Sequence, residues 1–202
     1  TSGVTNLGIG ANVFRWTITA PGGSPCPPTQ DDVQITRLSP TSPSNAGPDQ
    51  TLCASSATLS ANTPSVGVGR WEALTSGTVA PVNSPNATVT GLNFGANRFV
   101  WHIEHDPLCT VERDTVVITR DTPPVAGVLS ASTTICQSDA TVRTLTLALV
   151  NGTVRRWEQS TDGVNWTPIA DVTTSHTYSN LMVTTHYRVV VQNGTCPDDV
   201  SN

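Results

Sequence analysis

The phrase Gly95–Ile103, GANRFVWHI, is nearly a copy of Gly10–Ile18, GANVFRWTI, and no other feature limits so tightly what this chain can fold into. Aligned from Val4 to Ala20 against Val89 to His105, the two blocks share 9 of 17 residues. Asp31–Arg37, DDVQITR, then returns as Asp114–Arg120, DTVVITR. Repetition at this spacing marks an array of small modules. Three units are expected: 1–37, the second half of a repeat whose first half is missing; 38–120, a complete module; and 121–202, a third module of different sequence.

The repeated phrase reads as a strand. Phe99, Trp101 and Ile103 fall on one side of an extended chain, as do Phe14, Trp16 and Ile18 in the earlier copy. The residues between them change freely, Thr17 to His102 and Thr19 to Glu104, so the unchanged face is expected to be core and the other face solvated. By the same comparison His102, Glu104 and His105 are surface residues and not a metal site. Trp71 and Trp157 each follow the first Cys of their module by about 20 residues, the place of a buried tryptophan on a central strand of an immunoglobulin-like sandwich. Tyr187 is expected to join the third module's core.

Thr, Ser, Val, Asn, Gly and Pro dominate, only 12% of residues are charged, and no apolar run is long enough to span a membrane. Short half-buried strands between turns are expected, giving an all-β fold of tandem β-sandwiches arranged as beads on a rod. Two proline-rich connections, Leu38–Asp49 and Asp121–Gly127, read as extended, semi-rigid spacers. The net charge is −5 and all ten basic residues are scattered arginines, which disfavours nucleic acid and anionic membranes as partners. With no lysine, an internal Lys–Asn isopeptide bond is excluded, and any covalent staple must come from cysteine.

Five cysteines lie at 26, 53, 109, 136 and 196, without a CxxC pair. Each complete module holds one near its start and one near its end, so Cys53–Cys109 and Cys136–Cys196 are the expected disulfides. Closing each loop would stabilise a small module by about 4 kcal/mol in the chain-entropy model. Cys26 aligns with Cys109 and is expected to be unpaired through truncation. Such bonds persist in an oxidising compartment. No nucleophile elbow, zinc-protease helix or phosphate loop is present, and the acidic residues are scattered. No enzyme activity, catalytic residue, metal or cofactor is expected. Trp166, in DGVNWTPI, reads either as a platform for sugar stacking or as a hairpin tryptophan that covers its sheet.

From NAGPDQTLC, Asn45 to Cys53, the chain resembles a known family. This opening, with Leu59, Gly69, Trp71, Asn97, Phe99, Trp101, Cys109 and the closing Asp-x-Val-x-Ile-Thr-Arg, resembles the PKD-like repeats of giant Bacteroidota cell-surface adhesins of the SprB gliding-motility type. Cys136, Trp157, Asp162-Gly163, Trp166, Leu181, Thr184-Thr185, Tyr187-Arg188 and Cys196 resemble the Ig-like repeats that alternate with them. The resemblance implies export by type IX secretion, display at the cell surface in association with the outer membrane, and a third module that lacks its last strand. It also brings in Asp114-Thr115-Val116 as a pattern for O-glycosylation at Thr115. It does not bring calcium, because Leu59 to Gly69 holds no carboxylate.

The expected role is a disulfide-clamped stiff spacer that projects adhesive regions and bears force, with neighbouring repeats of the same chain as its partners. Alternatives are a polysaccharide-binding repeat array, or a self-assembling filament or sheath module whose partners are copies of itself.

Overall fold

The computed structural model describes residues 3–22 and 25–201, and every regular element in them is a strand. The first unit is a hairpin of β1 (Gly10–Ile18) and β2 (Thr29–Arg37), paired from Gly10 opposite Arg37 to Ile18 opposite Thr29.

The second unit is a sandwich. Its strands are β3 (Gln50–Leu52), β4 (Ser56–Thr58), β5 (Val68–Ala73), β6 (Thr78–Ala80), β7 (Thr88–Thr90), β8 (Gly95–Glu104) and β9 (Glu112–Arg120). One sheet runs β3-β9-β8-β5 and the facing sheet runs β4-β7-β6. All pairs are antiparallel except β3 with β9, which are parallel and set Leu52 opposite Arg120. The alternating face of β8 supplies the core: Phe99, Trp101 and Ile103 pack with Leu59, Trp71, Val89, Val116 and Ile118. Trp71 and Trp101 sit opposite each other with ring centroids 5.0 Å apart. The indole of Trp101 needs room over β5, and Gly69 provides it, since a Cβ at that position would lie 2.0 Å from Trp101 Cζ2.

The third unit has β10 (Val128–Leu129), β11 (Arg143–Ala148), β12 (Thr153–Ser160), β13 (Thr167–Ile169), β14 (Ser175–Tyr178), β15 (His186–Gln192) and β16 (Asp199–Val200). A β10-β11-β14 sheet faces a β13-β12-β15-β16 sheet. Between them Trp157, Val189, Val191, Leu147 and Ala126 are buried, with Tyr187 half-buried at the margin.

The repeated GAN tripeptide places an asparagine that ties the strand's opening turn together. Asn97 is fully buried, and its amide donates to the carbonyls of Asn93, Gly95 and Ile118 at 2.9, 2.9 and 3.2 Å. Asn12 makes the same three bonds, to Gly8, Gly10 and Ile35, at 2.9, 2.9 and 3.3 Å. Each asparagine ties the strand's opening turn to the next strand, and the glycine two residues before it takes a positive φ, +100° at Gly10 and +84° at Gly95. Arg37 and Arg120 close both copies by donating to Leu7 O and Leu92 O.

Two expectations require correction. Phe14 is only half-buried, and Trp16 and Ile18 are 66% and 59% exposed, where their counterparts Trp101 and Ile103 are at 0%. The hairpin forms the same strand pair, but no second sheet among the described residues faces it. The outward face of β8 is also not solvated throughout. His102 is buried between neighbouring strands, accepting from Arg113 Nε at Nδ1 (3.0 Å), with Nε2 2.7 Å from the Glu72 carboxylate. Long side chains on β5 and β9 cover it with their stems.

Gly69→Ala is expected to overpack the second module against Trp101 and cost about 3 kcal/mol, at the upper end of the usual overpacking range. Thermal unfolding of the single variant checks this, and an unchanged melting temperature would contradict the packing.

Candidate functional site

The junction between the second and third modules is built around a disulfide and a dense set of hydrogen bonds. Cys53 is bonded to Cys196, 143 residues away, with Cα atoms 4.8 Å apart. Both expected pairs, Cys53–Cys109 and Cys136–Cys196, are therefore corrected.

Strand direction explains the change. Cys53 follows β3, and because β3 runs parallel to β9 it ends beside Arg120, where the second module hands the chain on. Cys109 lies in the β8–β9 turn at the other end of β9, a nine-residue strand of roughly 27 Å at about 3.3 Å per residue. Disulfides need Cα atoms within about 7 Å, so those two cannot meet. In the third module Gln137 and Ser138, next to Cys136, touch Met182 and Leu181 just before β15, while Cys196 lies beyond that strand's other end. Each module thus keeps its late cysteine at its leading pole and its early cysteine at its trailing pole. Cys109 and Cys136 carry free thiols.

Around the bond, the connection Asp121–Gly127 is gripped residue by residue. The Asp121 amide donates to Leu52 O at 2.8 Å, and its carboxylate accepts from the amide and hydroxyl of Thr195 at 2.7 and 3.0 Å. The Asn193 side chain donates to Thr122 O and Oγ1 at 2.9 and 2.7 Å, and Asn151 donates to Pro123 O at 2.9 Å. Val125 and Asn151 exchange two backbone bonds of 2.9 Å. Gly194 passes so close to the Asp121 carboxylate, at φ +51°, that an added Cβ would lie 2.0 Å from Oδ2. On the other side Arg120 donates to Cys53 O at 3.3 Å and lies over the Phe94 ring at 4.3 Å.

The junction before the second module is made the same way. Ala46 and Ala126 are both buried, both donate their amide to an aspartate of the late strand region (Asp114 at 2.7 Å, Asp199 at 2.8 Å), and both precede a glycine with positive φ. Cys109 Sγ lies 3.8 Å from Ser39 O, as Cys196 Sγ lies 3.8 Å from Asp121 O. Thr41 Oγ1 adds a bond to Thr110 O of 2.8 Å. No motif in the sequence marks Asp199 as a residue that grips the linker. The Asp that follows a late cysteine in both modules was the available signal.

Trp166 is half-buried, and the guanidinium of Arg188 stacks 4.1 Å from its ring centre. Arg188 and Arg156 donate to the two oxygens of the buried Glu158 at 2.6 and 2.7 Å. Burial works against the charge of Glu158, but the two guanidiniums outweigh it and hold the carboxyl below its ordinary range. One face of Trp166 is therefore committed to this cluster. Thr115 is exposed on β9 beside Val100. Cys26 lies between the hairpin strands, in the turn region. Among the described residues no group of His, Cys, Asp and Glu is arranged to hold a metal, and no helix is long and apolar enough to cross a membrane.

Comparison with known proteins gives the fold. The model of a domain family of unknown function, DUF8696, matches residues 125–202. No curated protein matches the chain. Three titin immunoglobulin domains, I67–I69, superpose with a TM-score of 0.52 at 14% identity, covering 79% of this chain and 64% of theirs. A PKD domain solved in solution aligns at 24% identity and TM-score 0.34, covering 45% of this chain and 99% of its own. Chicken contactin-1 fibronectin domains FN1–FN3 align at 11% identity and TM-score 0.35, covering 95% of this chain and 72% of theirs. The chain is an all-β tandem of immunoglobulin-like sandwich modules.

Two outcomes follow. Gly194→Ala is expected to push the Asp121 carboxylate away and loosen the junction, which faster amide exchange at Thr195 would report. The Glu158 carboxyl is depressed in the folded state, so its stabilisation is complete above the ordinary glutamate value and is lost as pH falls from that value through the lower folded one. Acid titration should destabilise the native third module, and Glu158→Gln should flatten that dependence.

Proposed function

We propose that this chain is a structural repeat segment of a secreted cell-surface adhesin, acting as a stiff spacer that projects adhesive regions and bears force. The observation that carries this reading is the Cys53–Cys196 bond, which joins two consecutive modules across a connection already held by hydrogen bonds on both sides. A polysaccharide-binding array needs open aromatic faces, and one face of Trp166 is taken up by Arg188, whereas a force-bearing rod needs rigid joints, and the disulfide among the described residues lies at a joint. A disulfide also fits an oxidising, extracellular setting.

The resemblance of the repeat phrases supports a finer assignment: a giant Bacteroidota adhesin of the SprB gliding-motility type, exported by type IX secretion and held at the outer membrane. Thr115, exposed on a strand, is open to O-glycosylation in that setting. The neighbouring repeats of the same polypeptide are its partners.

Mechanically, a pull that arrives at Cys53 leaves through Cys196 without loading the chain between them. Pulling the oxidised 202-residue chain by its ends is expected to withhold that length. Reduction should release about 470 Å more, for 143 residues at about 3.3 Å each. Full-length release from the oxidised protein would overturn the reading.

A further inference from the structure

We propose that Cys109 is the late half of a second inter-module bridge, whose partner is a cysteine following a strand laid parallel along the open edge of β2, in a further repeat unit of the same polypeptide. Three observations converge. The sulfur equivalent to Cys109 is bonded in this same molecule: Cys196 occupies the leading pole of the third module and reaches the trailing pole of the second. Cys109 occupies the leading pole of the second module, with its sulfur the same 3.8 Å from a carbonyl of the preceding connection, Ser39 against Asp121. It cannot reach Cys53, which lies a strand's length away.

The place where the partner must sit is also defined. In the second module Cys53 reaches the trailing pole because β3 pairs in parallel with β9, Leu52 opposite Arg120. The hairpin strand β2 is the counterpart of β9, ending at Arg37 with the same arginine clasp, and β1 is its only partner among the described strands. A strand pairing in parallel with Ile35–Arg37 would deliver the next residue to the connection at Leu38-Ser39, beside Cys109.

The adjoining apolar face names the kind of occupant. Phe14, Trp16, Ile18 and Val33 stand where Phe99, Trp101, Ile103 and Val116 stand in the second module. There the face is covered by a sheet of the β4-β7-β6 kind carrying Leu59, Val79 and Val89. The complement to the hairpin is therefore a repeat half of that kind, with a cysteine in the place of Cys53. By the same stagger Cys136, exposed at the trailing pole of the third module, serves the next junction. Early cysteine to the following module's late cysteine is the rule that both ends would obey.

The bond forms between two thiols, which lose two protons and two electrons to a disulfide oxidant that leaves as its dithiol. This inference goes beyond the spacer reading, since a rod stapled only at Cys53–Cys196 would still be a spacer. The test is peptide mapping of the native polypeptide, isolated from its source, alkylated at free thiols and digested without reduction. The expected result is the Cys53–Cys196 pair together with a Cys109 peptide joined to a cysteine peptide from outside these 202 residues. An alkylated Cys109, a bond from Cys109 to any cysteine within the 202 residues, or a bond to a second copy seen as a covalent dimer would each overturn it. None of these outcomes changes the force measurement on the Cys53–Cys196 span, so the two readings fail separately.

Discussion

Everything distinctive about this chain depends on one strand direction. A three-residue strand, β3, lies parallel to the last strand of its own module, and this carries the residue that follows it to the module's trailing pole. Had β3 paired antiparallel with the same residues of β9, Cys53 would run back along that strand toward Val117, short of Cys109 and turned away from Cys196. The parallel pairing is what makes the staple an external one. The Asp121, Asn193 and Asn151 hydrogen bonds then hold the connection in an arrangement where the sulfurs meet.

The disulfide and the polar grip on the linker do different work. Hydrogen bonds to exposed linker atoms each contribute little net free energy, but together they specify an angle between modules. The covalent bond adds little direction and a great deal of tether. It closes a loop spanning two folded units, so unfolding either unit is constrained by the other.

Much of the fold was legible because the chain contains its own comparison. Period-two alternation and the unchanged Phe-x-Trp-x-Ile face marked β8 as a core strand, and Trp157 is buried on the interior strand β12 as expected, whereas Trp71 is buried on β5, which stands at the edge of its sheet and not at its centre. Burial was less legible, because a strand's inner face is dry only if something faces it. Trp16 carries the same phrase as Trp101 but stands exposed. His102 failed in the opposite sense: its place on the outer face was right, and the covering by Glu72 and Arg113 depended on neighbours in two other strands. The disulfide pairing was illegible for a related reason. Position along the chain suggests local loops, while the real distances depend on the pairing of a strand too short to leave a periodic signature.

The exposed loops of both modules lie inside the closed span from Cys53 to Cys196, the fully projecting Leu108 among them. Exposed loops of this kind are where proteases cut. Cleavage at any point between the two cysteines leaves the pieces on either side joined through sulfur. What the bond confers, then, is continuity that does not depend on an unbroken backbone: the two modules can be nicked between the cysteines and still stay joined.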